Sequence, residues 1–143
     1  MFNHREAAYA LLRVTLGVVF LFNGIGKFMG GVGNFAAGLE KQFAGKLPSA
    51  LVLPFAYALP FAEVLFGALI LLGLFSAVAL VLSGLLLVAL TFGTVMQEEF
   101  PTVAHNVQYA LVNFALLFFA DYNGYSLDRL RRKAGLRVEG DST

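Results

Sequence analysis

Glu63 and Arg13 are the residues of this chain whose type and setting point most directly to chemistry. Each is an ionisable group inside a long apolar run, Glu63 within Leu51 to Leu74 and Arg13 within Ala7 to Phe28. A lone charge at mid-membrane costs at least about 2.5–3.5 kcal/mol on insertion scales. Neither is therefore expected to face lipid, and each is the other's most obvious partner. Such a pair can relay a proton or hold a polar ligand; it can also simply pin two helices. Arg13, Gly17, Phe20, Gly24 and Lys27 recur at spacings of three and four, so they share one side of a helix, with Asn23 flanking it. Pro60 stands three residues before Glu63. A proline there removes a helical donor and can bend the helix, opening a small polar cavity beside the carboxylate. Further along, Asn106, Tyr109 and Asn113 recur at spacings of three and four, with Gln108 beside them. Inward-facing amides at these positions could bond Glu63 or a quinone carbonyl, or tie helices together.

Other residues carry less. Gly17, Gly24 and Gly67 lie in apolar runs, and Gly26 and Gly30 form a GxxxG pair. Small residues of this kind allow close helix approach, which makes packing the main expectation for them. The weak metal candidate is His105 with Glu98 and Glu99; three such residues on one short loop are more often solvated, so no metal is expected. His4 and His105 fall on opposite sides of a core about 30 Å thick, which excludes a bis-histidine haem. The chain has no cysteine, so it has neither a disulfide nor an iron–sulfur cluster. Walker loops, dinucleotide glycine motifs and Ser/His/Asp arrangements are missing too. No covalently bound cofactor is expected, while a quinone remains a candidate ligand.

The elements that must position these residues follow from the distribution of apolar residues. Hydrophobic residues are 59% of the 143, charged residues 13%, and the net charge is +1. Soluble domains carry about twice that share of charge. The balance excludes an ordinary soluble enzyme, a disordered chain and a nucleic-acid binder. Apolar stretches about long enough to span a bilayer cover roughly residues 7–28, 54–74, 77–96 and 106–121. Arg13 interrupts the first, and no clean cleavage site follows it, so it reads as a permanent helix rather than a signal peptide. The expected fold is all-α: an integral membrane four-helix bundle forming one membrane domain over residues 1–143, with a basic tail at 122–143. Arg5 and the tail residues Arg129, Arg131, Arg132, Lys133 and Arg137 outnumber Lys41 and Lys46 on the loop side. That asymmetry puts both termini in the cytoplasm. The tail would lie against anionic headgroups, between a Ser126 N-cap and a Gly135 stop. In the first outer loop, Asn34 could cap a short amphipathic helix with Phe35, Leu39 and Phe43 on one face. It would lie on the membrane surface or fold back on the bundle.

The run Leu12 to Phe28, the run Ala62 to Leu74 with Glu63, and the ending Tyr125-Ser126-Leu127-Asp128 together resemble the DoxX family. Many members carry an acidic residue early in the fourth span, where Gln108 stands here. The resemblance implies a bacterial or archaeal inner-membrane protein. It implies an association with a quinone or sulfur-compound redox complex, or with an oxidative-stress system. Such a chain would be a subunit rather than a catalyst alone, with the lipid bilayer and a protein partner or further copies of itself as its contacts. The alternatives are a small transporter or metal-handling protein, and a purely structural assembly subunit.

Overall fold

The computed structural model describes residues 3–140, with side chains to residue 135. Arg137 therefore lies outside the described side chains. Six α-helices follow one another: α1 His4–Met29, α2 Val32–Gln42, α3 Ser49–Leu72, α4 Ser76–Met96, α5 Phe100–Phe118 and α6 Leu127–Gly140. A 3-10 turn, Ala120–Tyr122, links α5 to α6, and there is no strand among the described residues. Among the described residues three helices, α1, α3 and α4, are long and apolar enough to cross a membrane. Four spans were the expectation. α5 has 19 residues but carries His105, Asn106, Gln108 and Asn113, and falls outside the three.

The strongest helix–helix contact is α1 against α3. Glycines make it close. A Cβ at Gly17 would lie 2.7 Å from the Leu71 nitrogen, one at Gly24 would lie 2.9 Å from the Val64 nitrogen, and one at Gly67 would strike the Leu21 backbone. These contacts pair residues whose numbers add to 88, so the two helices run antiparallel in one fixed register. Gly17, Gly24 and Gly67 thus line the α1–α3 contact, and Pro60 is buried within α3, which runs unbroken from Ser49 to Leu72. Gly26 and Gly30 do not. Neither faces another helix, because α1 ends at Met29 and the chain turns away.

α2 folds back onto α3 instead of lying free on a surface. Its N-cap is Gly31, not Asn34; Asn34 is inside the helix and donates to the Gly30 carbonyl at 3.1 Å. α3 stops at Gly73, whose φ of 68° suits glycine, and α4 starts three residues later. That tight hairpin matches the expected short turn. α4 then packs on α5, where Asn113 donates to the Ser83 hydroxyl at 2.7 Å. Leu16, Ile70, Leu80 and Leu116 fill the core. Large apolar side chains also cover the outside, among them Phe22, Phe61, Leu85, Val88 and Phe114. In water such a surface would be a liability; in lipid it is the solvated face.

Candidate functional site at Lys27 and Glu63

The register of α1 and α3 decides which charges meet. Lys27 lies level with residue 61, two residues or about half a turn from the level of Glu63. Helical side chains lean toward their own N-terminus. In antiparallel helices Lys27 and Glu63 therefore lean toward each other. The Lys27 ammonium donates to both carboxylate oxygens, at 2.8 and 3.1 Å, and to the Asn23 carbonyl at 3.3 Å. It also stands 5.3 Å from the centre of the Phe35 ring. Three donors thus have three acceptors. Glu63 is 3% exposed, so this partner is what makes its charge tolerable there.

Arg13 does not pair with Glu63. The same register puts it level with residue 75, about twelve residues or ~18 Å from Glu63, and its side chain leans the other way. Its guanidinium donates instead to the Asn123 amide oxygen and, at 2.8 Å, to the Tyr125 carbonyl; its Nε has no acceptor. Asn123 passes a bond to Ser76 at 3.0 Å. Beside it, Asp128 accepts the N–H groups of Phe75 and Ser76, each at 2.8 Å, and caps α4 from the start of α6. Burial pushes the Asp128 carboxyl up, but the Ser76 and Phe75 amides, the Ser76 hydroxyl and Arg131 outweigh that and hold it below its ordinary value. Ser126 caps α6 as expected, accepting from Arg129 N–H at 3.3 Å, while Gly135 does not end the helix.

The Lys27–Glu63 pair forms one wall of a cavity of about 270 Å³ between α2, α3, α4 and α5. Gln42, Thr94, Gln97 and Asn106 supply its polar lining; Phe35, Phe43 and Phe55 supply rings. Asn106 donates to Thr94 at 3.4 Å, and Gln97 to Gln42 at the same distance. Lys46 donates to the Met96 carbonyl at 2.8 Å, tying the segment after α2 to the end of α4.

The seven expected site residues therefore divide. Lys27 and Glu63 pair at the cavity, and Arg13 belongs to the cluster toward the opposite end of α1. Asn113 ties α5 to α4, and Tyr109 packs on the core. Asn23 and Gln108 expose their side chains, and only the Asn23 backbone reaches the site. The amides do not bond Glu63, because α5 sits behind α4 rather than against α3. Asn106 was legible from its spacing; Gln42, Thr94 and Gln97 carried no signal. Of the basic tail, Arg129 bonds Glu6 at 2.9 Å and Arg131 lies over the Phe75 ring at 4.6 Å, so both serve tertiary contacts. Arg132 and Lys133 stay exposed. No three His, Cys, Asp or Glu side chains converge on a metal position among the described residues, so His105, Glu98 and Glu99 do not assemble one.

An apolar helical bundle with a buried ion pair on a polar cavity defines a multi-pass membrane protein. Its residues 5–98 match the family model of the methylamine utilisation protein MauE, and the chain belongs to that family. This corrects the resemblance to DoxX. Two of the three stretches that carried it, 12–28 and 62–74, fall inside the matched segment and only the ending 125–128 lies beyond it; apolar helices with spaced glycines and one carboxylate look alike across membrane families. No curated protein and no solved structure matches the chain.

Proposed function

We propose that this chain is a subunit of the bacterial or archaeal cytoplasmic membrane that serves a redox system of methylamine utilisation, and that the Lys27–Glu63 cavity is its ligand site. The observation that carries the reading is the bidentate ion pair, 2.8 Å at its shorter contact, facing a cavity instead of being closed over by side chains. Intramembrane ionisable groups mark substrate and proton pathways more often than not. The family supports the metabolic setting.

In this reading α5 is a fourth crossing and both termini are cytoplasmic. Tyr9, near the start of α1, donates to the Leu116 carbonyl near the end of α5 at 2.7 Å. Asn106, near the start of α5, reaches Thr94 near the end of α4. α5 therefore runs the height of its neighbours, and Asn106 and Asn113 face α4 rather than lipid.

The test is affinity purification of the tagged chain, after cross-linking, from source cells grown on methylamine as sole nitrogen source. An oxidoreductase subunit should co-purify, and Glu63→Gln should slow that growth at least several-fold. A chain that brings down no redox protein, or is dispensable for growth on methylamine, would refute the proposal. A partner retained with normal growth of the Glu63→Gln strain would leave a structural subunit and remove the ligand site.

A further inference from the structure

The Glu63 cavity does not stop at its polar end. A second cavity of about 200 Å³ shares Leu39, Phe43, Phe55, Ala89 and Gly93 with it, so the two are arms of one space. The second arm is lined by Leu47, Leu51, Val52 and Phe92 and holds almost no polar surface. Leu51 and Phe92 are 64% and 61% exposed on the apolar exterior, so this arm opens sideways toward the bilayer. We propose that the joined space binds a neutral amphiphile with a carbonyl head and a hydrocarbon tail, entering from the membrane between the start of α3 and α4.

The chemistry of each arm selects that class. The polar arm has no net charge to offer. All three Lys27 donors are used on Glu63 and Asn23, and both Glu63 oxygens are bound. A charged head would enter a poorly solvated site without a counter-ion, which is costly. A carbonyl needs only a donor. Asn106, 7% exposed, has one long bond of 3.4 Å among the described residues, which leaves amide N–H to give. The apolar arm then takes the tail, as expected of a pocket that is mostly apolar with a few placed polar groups. Quinones fall within this class, as do long-chain amides and ketones.

This deepens the ligand-site reading and rests on it. The probe is a twelve-carbon primary amide carrying a diazirine near its tail end, photolysed with the full chain in phosphatidylcholine nanodiscs. Labelling should concentrate on Leu47, Leu51 and Phe92. Excess unlabelled amide should compete, whereas the twelve-carbon ammonium and carboxylate should compete at least tenfold less well. Ala89→Phe, at the shared waist, should lower labelling at least tenfold. Gly93→Val is the second variant: a Cβ there already lies 3.2 Å from the Phe43 ring. Equal labelling of both variants, equal competition by the charged homologues, or labelling spread over Phe22 and Phe61 on the lipid face would overturn the proposal. Co-purification of a redox partner does not depend on this result, so the two readings fail separately.

Discussion

Replacing Glu63 by Gln should destabilise the bundle more than any other removal of one carboxylate. The contact is bidentate, at 2.8 and 3.1 Å, with Glu63 3% exposed and the Lys27 side chain 22% exposed. At 2.8 Å and an effective dielectric constant of about 20, the gross attraction is about 6 kcal/mol. Desolvation of the pair opposes it, so the pair itself is worth far less. Removing only the carboxylate leaves the ammonium buried without an anion. Loss of one partner of a buried pair costs about 3–5 kcal/mol; the partial exposure of Lys27 brings this to about 2–4 kcal/mol. That is roughly a 30- to 900-fold change in the folded ratio. The double variant Lys27→Met/Glu63→Met removes both charges and should recover most of the loss. Arg13→Gln should add to Glu63→Gln within about 0.5 kcal/mol, because the sites lie well apart and share no partner. The assay is reversible unfolding in mixed detergent micelles, followed by circular dichroism, for the single and double variants. A Glu63→Gln loss below about 0.5 kcal/mol, or a Met/Met variant no better than Glu63→Gln, would refute the argument.

Three further outcomes follow from other parts of the fold. Gly67→Ala should cost about 1–3 kcal/mol, because the new methyl strikes the Leu21 backbone, while Gly26→Ala, which meets nothing, should be neutral or stabilising; thermal melts of both check this. Asp128 has a folded pKa below its unfolded value of about 3.9, so its stabilisation is present above that value and is lost as pH falls through the folded pKa. Melts below about pH 4 should therefore show an acid loss in the wild type that Asp128→Asn lacks, the variant starting about 0.5–2 kcal/mol lower at pH 7 from the weakened cap. The chain has no cysteine, so single cysteines at Glu98 and Lys133 can be labelled against no background. They should react from opposite sides of the membrane, Lys133→Cys from the cytoplasm; labelling from one side would show that α5 does not cross.

The apolar helices were legible because lipid imposes a length and a composition on any span. α1, α3 and α4 meet both conditions, whereas the polar residues of α5 leave its packing on α4 and α1 to speak for it. The charge pairing was not legible, because it depends on helix register and register depends on where the helices begin. Reading the second span from Pro54 omits its first turn; the helix starts at Ser49. Reading Lys27 as the end of span one likewise places it at the interface, although it lies level with residue 61, midway along α3. Both errors push Lys27 away from Glu63 and bring Arg13 closer. The glycine spacings at Gly17, Gly24 and Gly67 held the missing information: aligned as one close contact, they give the register directly.

That register also separates the two polar clusters along the α1–α3 seam by purpose. Arg13 and Lys27 are fourteen residues apart on one face of α1, with only glycine and apolar residues at the contact between them. A buried cation used for structure needs acceptors and no space. Arg13 has that setting: its guanidinium lies so near Gly73 that a Cβ there would collide with it, and its partners are an amide and a backbone carbonyl from the loop after α5. It ties the start of α6 to the α3–α4 hairpin, and Asp128 completes the tie from the other side. A buried ion pair used for a ligand needs room beside it. Lys27 and Glu63 have that room, bounded by amides and hydroxyls that their own hydrogen bonds do not consume. Packing constrains Arg13 on every side, so Arg13→Gln should disturb folding while leaving the cavity's chemistry in place. Glu63 acts on both, so its substitution, unlike that of Arg13, should alter what the cavity binds.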